Sequence, residues 1–203
     1  MKMMMALLLT AGVVFSFLSF KDASAQEKSE PEISNIGLKF NLGLGSQKFT
    51  DAQELKENGA GSLSLGYGVS QHVTLWLGAQ AGTFQSETIL EQESDFVGLE
   101  LLVQYKLRPG KKFRPFGKVG LGAYFLGTNY SHVGRPGEVL TGGGIAWALG
   151  AEYRLFRFLA IGAELYWKDL EYTKRSIGDG DFIDLPRAVP GDTHGLMLNF
   201  TLH

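Results

Sequence analysis

Three places in this sequence carry residue types that could do chemistry. Ser131 and His132 stand side by side in a polar stretch, a hydroxyl next to a base, and a loop carboxylate would complete a hydrolase-like set. In "GDGDFID", the carboxylates of Asp179, Asp181 and Asp184 could gather around calcium, but the later bidentate Glu of an EF-hand loop is missing. The third is a series of charges in one phase of an alternating pattern: Lys39, Glu100, Lys106, Lys118, Glu152, Arg154, Glu164 and Lys168, joined by Asn41, Gln80, Gln104 and Asn199. A Ser beside a His is ordinary loop composition, and the acidic spacing is not that of a metal loop. Neither catalysis, nor a metal, nor a cofactor is therefore expected. Gly120-x-Gly122 is not a dinucleotide turn, because no helix follows it. What remains to be explained is the charge series, and the explanation lies in the elements that carry it.

In "KVGLGAYF", Val119, Leu121, Ala123 and Phe125 share one face of a strand, and Lys118, Gly120, Gly122 and Tyr124 the other. The same period runs through residues 38–44, 63–69, 73–81, 97–107, 145–155, 159–167 and 196–202. A soluble sheet would carry charge at most positions of its second face, whereas here that face is rich in glycine with isolated charges. The connections alternate in length as well. Short ones fall at 70–72, 108–112 and 156–157, and long ones at 46–59, 85–95, 127–143 and 169–193. An up-and-down meander puts all short turns at one end and all long loops at the other. Tyr67, Tyr105 and Tyr153 sit on the apolar face shortly before short turns, and Phe125, Trp147 and Trp167 sit on it nearer the long loops. Two aromatic bands around a Leu, Val and Ala zone are the pattern of side chains at the two surfaces of a bilayer.

These features predict an all-β fold, an eight-stranded antiparallel up-and-down transmembrane β-barrel over residues 36–203, with the apolar face toward lipid. A barrel this narrow is filled by its own side chains. Opposite charges confined there must pair, so Lys39, Glu100, Lys118, Glu152, Arg154 and Glu164 are expected to form a polar network in the lumen. Symmetric pairing of the fifth and sixth strands about their loop would set Lys118 against Glu152.

The first 25 residues read as an export signal: Met1-Lys2, an apolar run, then Ala23-Ser24-Ala25 before Gln26. A short periplasmic stub, 26–35, would follow. Without residues 1–25 the chain carries 17 basic and 20 acidic residues, which points away from a nucleic-acid partner. It has no cysteine, hence no disulfide and no lipobox-type anchor.

With the alternation, "FRPFGKVGLGAYF" and "GIAWALGAEYRL" leading into "FLAIGAELYW" resemble the small outer-membrane β-barrel proteins of Gram-negative bacteria, the family of the OmpA transmembrane domain and OmpX. The resemblance implies a monomer in the outer membrane, surrounded by its lipid and delivered by the barrel assembly machinery. "THGLMLNFTLH" looks like the signal that machinery reads, with Gly195, Leu198 and Phe200 at matching places, although it ends on Thr201-Leu202-His203 rather than on the usual aromatic. The role expected is structural or surface-interacting, with an extracellular ligand held by the long loops. A narrow passive channel for small solutes is the second reading and a lipid-modifying enzyme the third.

Overall fold

The computed structural model describes residues 35–50, 58–85, 93–130 and 136–203. The expected signal peptide, nearly all of the stub, and Ser131 and His132 lie outside them. Residues that alternate apolar side chains with glycine or small polar ones suit a pleated backbone, and they form nine strands. In chain order these are β1 (Gly37–Phe49), β2 (Asn58–Gly68), β3 (Val73–Gln85), β4 (Glu93–Lys106), β5 (Phe113–Asn129), β6 (Glu138–Arg154), β7 (Leu159–Ile177), β8 (Ile183–Pro190) and β9 (Thr193–Leu202).

Strands β1 to β7 pair with their sequence neighbours, all antiparallel. β9 then pairs with β7 on one side, Trp167 against His194, and with β1 on the other, Leu42 against Phe200. That double pairing closes an eight-stranded barrel. β8 stays outside the ring, hydrogen-bonded to β7 alone.

Burial is inverted relative to a soluble protein. Lys106 and Arg114 are 0% exposed, while Leu121 is 67% and Leu77 62% exposed. The apolar face thus points outward around the whole ring, as a barrel in hydrocarbon requires, and the charged face points into the lumen.

A tilted strand crosses a bilayer in ~9 to 11 residues. β5 and β6 have 17 residues each and β7 has 19, so the wall continues beyond the membrane at the long-loop end. The expectation of a loop over 169–193 is corrected here: the segment holds the far part of β7, all of β8 and the start of β9. Tyr172 pairs with Val189 and Arg175 with Ile183, across a bulge, and Gly178, at φ 58°, makes the turn between the two strands. The segment looks polar and loop-like because only one of its edges is paired.

Inward glycines position the lumen aromatics. Gly66 is the register partner of Trp76 and Gly98 of Tyr124, and a Cβ on either glycine would stand 2.5 Å and 2.8 Å from the facing ring. Each ring lies over the bare backbone of the next strand, which is how bulky groups fit a narrow barrel. Trp76 cannot swing aside freely, since its indole N–H donates to Gln104 Oε1 at 2.8 Å inside the lumen. Gly66→Leu is therefore expected to lower stability by about 1–3 kcal/mol, read from urea unfolding of the refolded barrel. Gly59→Ala, whose Cβ would meet nothing within 4 Å, should unfold like the parent. Equal midpoints for all three would mean that ring-over-glycine packing contributes nothing.

Candidate functional site

The inward side chains sort by height along the barrel axis. At the short-turn end, Lys39, Lys106, Arg114 and Arg154 surround one carboxylate. Glu152 Oε1 lies 2.7 Å from Lys106 Nζ and 2.8 Å from Arg114 Nη2. Lys39 Nζ donates to Asn35 Oδ1 at 2.7 Å and stands 2.9 Å from His203 Nδ1. Asn35 is itself tied to the first short turn through Ser70 O and Gln71 Oε1. The His203 ring, just past β9, is pushed down to about 2 by burial and then by the charges of Lys39, Lys106, Arg114 and Arg154. It is neutral at ordinary pH. With Nδ1 accepting from Lys39, its proton sits on Nε2, the atom 3.4 Å from Arg114 Nη2.

In the middle of the lumen the charges pair one to one. Lys118 Nζ meets Glu164 Oε2 at 2.6 Å, and Lys168 binds Glu100 and Gln80. Gln80 Nε2 donates to Gln47 Oε1 at 2.8 Å, and Tyr124 Oη to Glu100 Oε1 at 3.1 Å. The Lys168 ammonium also lies 5.3–5.4 Å from the rings of Phe96, Tyr124 and Tyr166, which offset part of the cost of its burial. Between the two ion pairs is a cavity of about 40 Å³, lined by Ser62, Ser64, Glu100, Lys118, Glu164 and Asn199, with room for a water or two.

Toward the long loops the lumen turns apolar. Phe49, Phe84, Phe96, Tyr124, Leu126, Leu170 and Tyr172 form one buried cluster, backed by Leu140 and Val189. Phe49 and Phe84 pack edge to face with centroids 4.7 Å apart, and Phe96 stacks on Tyr124 at 5.7 Å. An ion leaving the central cavity in this direction meets a close-packed hydrocarbon layer.

Residues 11–201 match the family model of the outer membrane protein beta-barrel domain. The chain belongs to this family. No curated protein sequence matches it. Among solved structures, Neisserial surface protein A superposes with a TM-score of 0.62 at 9% identity, over 82% of this chain and 96% of that one. OprG of Pseudomonas aeruginosa gives 0.58 at 15% identity over 83% and 97%, and Ail, the attachment invasion locus protein of Yersinia pestis, 0.51 at 12% over 82% and 97%. At such identities the likeness is one of fold.

Lys39, Glu100, Lys118, Glu152, Arg154 and Glu164 of this outer-membrane barrel all lie on the inward face. One pairing differs from expectation. Glu152 stands opposite Arg114, and Lys118 opposite Ala148 with Glu164 as its ionic partner. The pairing of β5 with β6 is centred two residues earlier than the assumed loop midpoint, which moves Glu152 level with the two cations it neutralises. Tyr67, Tyr105 and Tyr153 point outward near the short turns. Phe125, Trp147 and Trp167 point outward too, and the two tryptophans stack across β6 and β7 with centroids 4.3 Å apart. Gly195 faces inward, where a Cβ would stand 2.5 Å from Tyr166 Oη, while Leu198 and Phe200 face outward. Asp179 and Asp181 are exposed in the β7–β8 turn, and Asp184 lies 3.9 Å from Lys174 Nζ. Among the described residues no three His, Asp or Glu converge as metal ligands.

Two features went unread in the sequence. Arg114 directly follows a turn rich in basic residues, and the apolar lid gathers Tyr124 of a strand with residues at strand ends, such as Phe84 and Phe96, and in segments read as loops, such as Phe49 and Tyr172. The signal for both was present: the alternation continues through Gln47 and Phe49, Gly82 and Phe84, and Arg114 and Phe116.

Glu152 is the carboxylate whose removal should cost most. Glu152→Gln leaves Lys106 and Arg114 buried without a counter-charge, and a loss of about 3–5 kcal/mol in the urea unfolding free energy is expected. A change below about 1 kcal/mol would mean that the cations find other compensation.

Proposed function

We propose that this barrel is a closed, rigid holder in the outer membrane whose work is done at its long-loop end, by binding a partner at the cell surface. The observation that carries the reading is the filled lumen: ion pairs occupy its middle, and an apolar lid seals it beneath the loops. A lumen filled in this way favours the outer surface as the working part. In this reading the export signal directs the chain to the periplasm, the last strand with Gly195, Leu198 and Phe200 is handed to the assembly machinery, and the monomer sits with its short turns inward and its long loops outward, as such barrels do.

Among the described residues, the β7–β8 hairpin is the most developed part of that outer surface. Ile177, Phe182 and Ile183 are about half exposed at its tip. Around them stand Lys174, Arg175 and Arg187 together with Asp179, Asp181 and Asp184. Apolar contact rimmed by both signs of charge suits a protein surface. One structure of Ail holds the heparin analogue sucrose octasulfate. The mixed charge of the present hairpin does not favour so strongly anionic a ligand.

The central cavity favours passive conduction of small solutes as the second reading, which would require the lid to open. A lipid-modifying enzyme stays the third reading: Ser131 and His132 lie outside the described residues, and Thr50 Oγ1 stands 3.1 Å from His194 Nδ1 near the long-loop end. The test is a Phe182→Ser, Ile183→Ser double variant in cells that produce the protein. Adhesion to host-cell layers should fall about tenfold, the effect of losing an apolar anchor, while the heat-dependent gel shift of the folded barrel is retained. Unchanged adhesion by a folded variant would contradict the role given to the hairpin.

A further inference from the structure

Donors and acceptors do not balance at the short-turn end of the lumen. Four cationic side chains there face one carboxylate, whereas the middle of the barrel matches Lys118 with Glu164 and Lys168 with Glu100. The surplus is visible atom by atom. Nε and Nη1 of Arg114, and Nε and Nη2 of Arg154, are buried without a hydrogen-bond partner. Arg114 is 0% and Arg154 7% exposed, so these donors are removed from water as well as unpaired. The Nε2–H of the neutral His203 faces Arg114 Nη2, one donor against another. Unpaired charged donors at this depth are costly, and a built-in carboxylate would have been the simple remedy.

The placement of these groups is coherent. Arg114 on β5 is the register partner of Glu152 on β6, and Arg154 is the next inward residue of β6 toward the short turns. His203 follows β9 and is partly exposed, and its Nε2 stands 3.4 Å from the buried Arg114 Nη2. The described turns at that end carry further basic side chains. The turns carry Arg108, Lys111, Lys112 and Arg157, all exposed, and residues 69–72, 107–112 and 155–158 contain no acidic side chain.

We propose that the short-turn end of this barrel is a binding site for a phosphate group, held by the free Nε/Nη2 fork of Arg154, by the separate Nε and Nη1 donors of Arg114 and by the Nε2–H of His203. One planar fork, two separate guanidinium donors and an imidazole N–H address at least three oxygens, which a tetrahedral phosphate presents and a carboxylate does not. Its negative charge offsets part of the surplus of three. The phosphate comes either free from solution or as the headgroup of a lipid in the adjacent leaflet.

The test uses the barrel folded in uncharged detergent, titrated with millimolar inorganic phosphate against chloride at constant ionic strength. Saturable broadening of the ³¹P line and a parallel rise in the thermal unfolding midpoint are expected with the unaltered protein. Arg154→Gln should weaken both by about tenfold or more, and the hairpin variant Arg187→Gln should leave them unchanged. If Arg154→Gln does not fold, Arg154→Lys, which keeps the charge and loses the fork, should still bind more weakly than the parent. Absence of ³¹P broadening with the folded parent, or equal binding by the Arg154 variants, would overturn the site. Repeating the titration in vesicles containing phosphatidic acid identifies the source. Loss of phosphate binding there upholds the site as one for a lipid headgroup, and retention upholds it as one for the free ion.

Discussion

A peptide group surrounded by hydrocarbon has only another peptide group to bond to, and so the double pairing of β9, with β7 on one side and β1 on the other, is the contact on which the rest depends. Once the sheet closes, each strand has one face toward lipid and one toward a space too narrow for anything but its own side chains. The glycines opposite Trp76 and Tyr124 then become a requirement of volume. The charges become a requirement of another kind. A lysine in that space is tolerated only beside a carboxylate, an amide oxygen or an aromatic face, and Lys168 has all three.

The same constraint divides the lumen by height. At the short-turn end cations outnumber the one carboxylate, and several of their donors are buried without a partner. In the middle the charges are matched within the chain. At the loop end the strands have passed the membrane, and aromatic side chains pack into the lumen as an ordinary apolar core would. The barrel thus ends outward in a small hydrophobic core, on which Val189 of the hairpin also packs. That contact gives the hairpin a rigid base from which to present Phe182 and Ile183.

Much of this was legible in the sequence because a period of two is a strong signal and because lipid removes the ambiguity of which face is which. Val119, Leu121 and Phe125 point outward and Lys118, Gly120 and Tyr124 inward, as alternation alone requires. Heights and partners were harder to read. Parity places Lys118 and Glu152 in one lumen, but their separation depends on the register of β5 against β6, which is set by hydrogen bonds across the loop and leaves no mark at either residue. The β7–β8 hairpin was hidden for a different reason. A strand paired on one edge in water is under no demand for an apolar face, so "IDLPRAVP" reads as a loop. The lid was masked by the opposite error. Phe49, Phe84 and Phe96 continue the alternation but change the character of the inward face from polar to apolar, and a scan for one fixed character stops short of them.

The central claim, that the lumen is a plug and the outer surface the working part, is tested most directly by single-channel recording of the refolded barrel in a planar bilayer. The account predicts silence from a preparation whose folding is demonstrated by its gel mobility, because the apolar lid and the paired charges beneath it leave no continuous water path. A stable, reproducible conductance that disappears when the mouth is occluded would contradict it, and would mean that the lid opens and the ion pairs exchange partners to let solutes through.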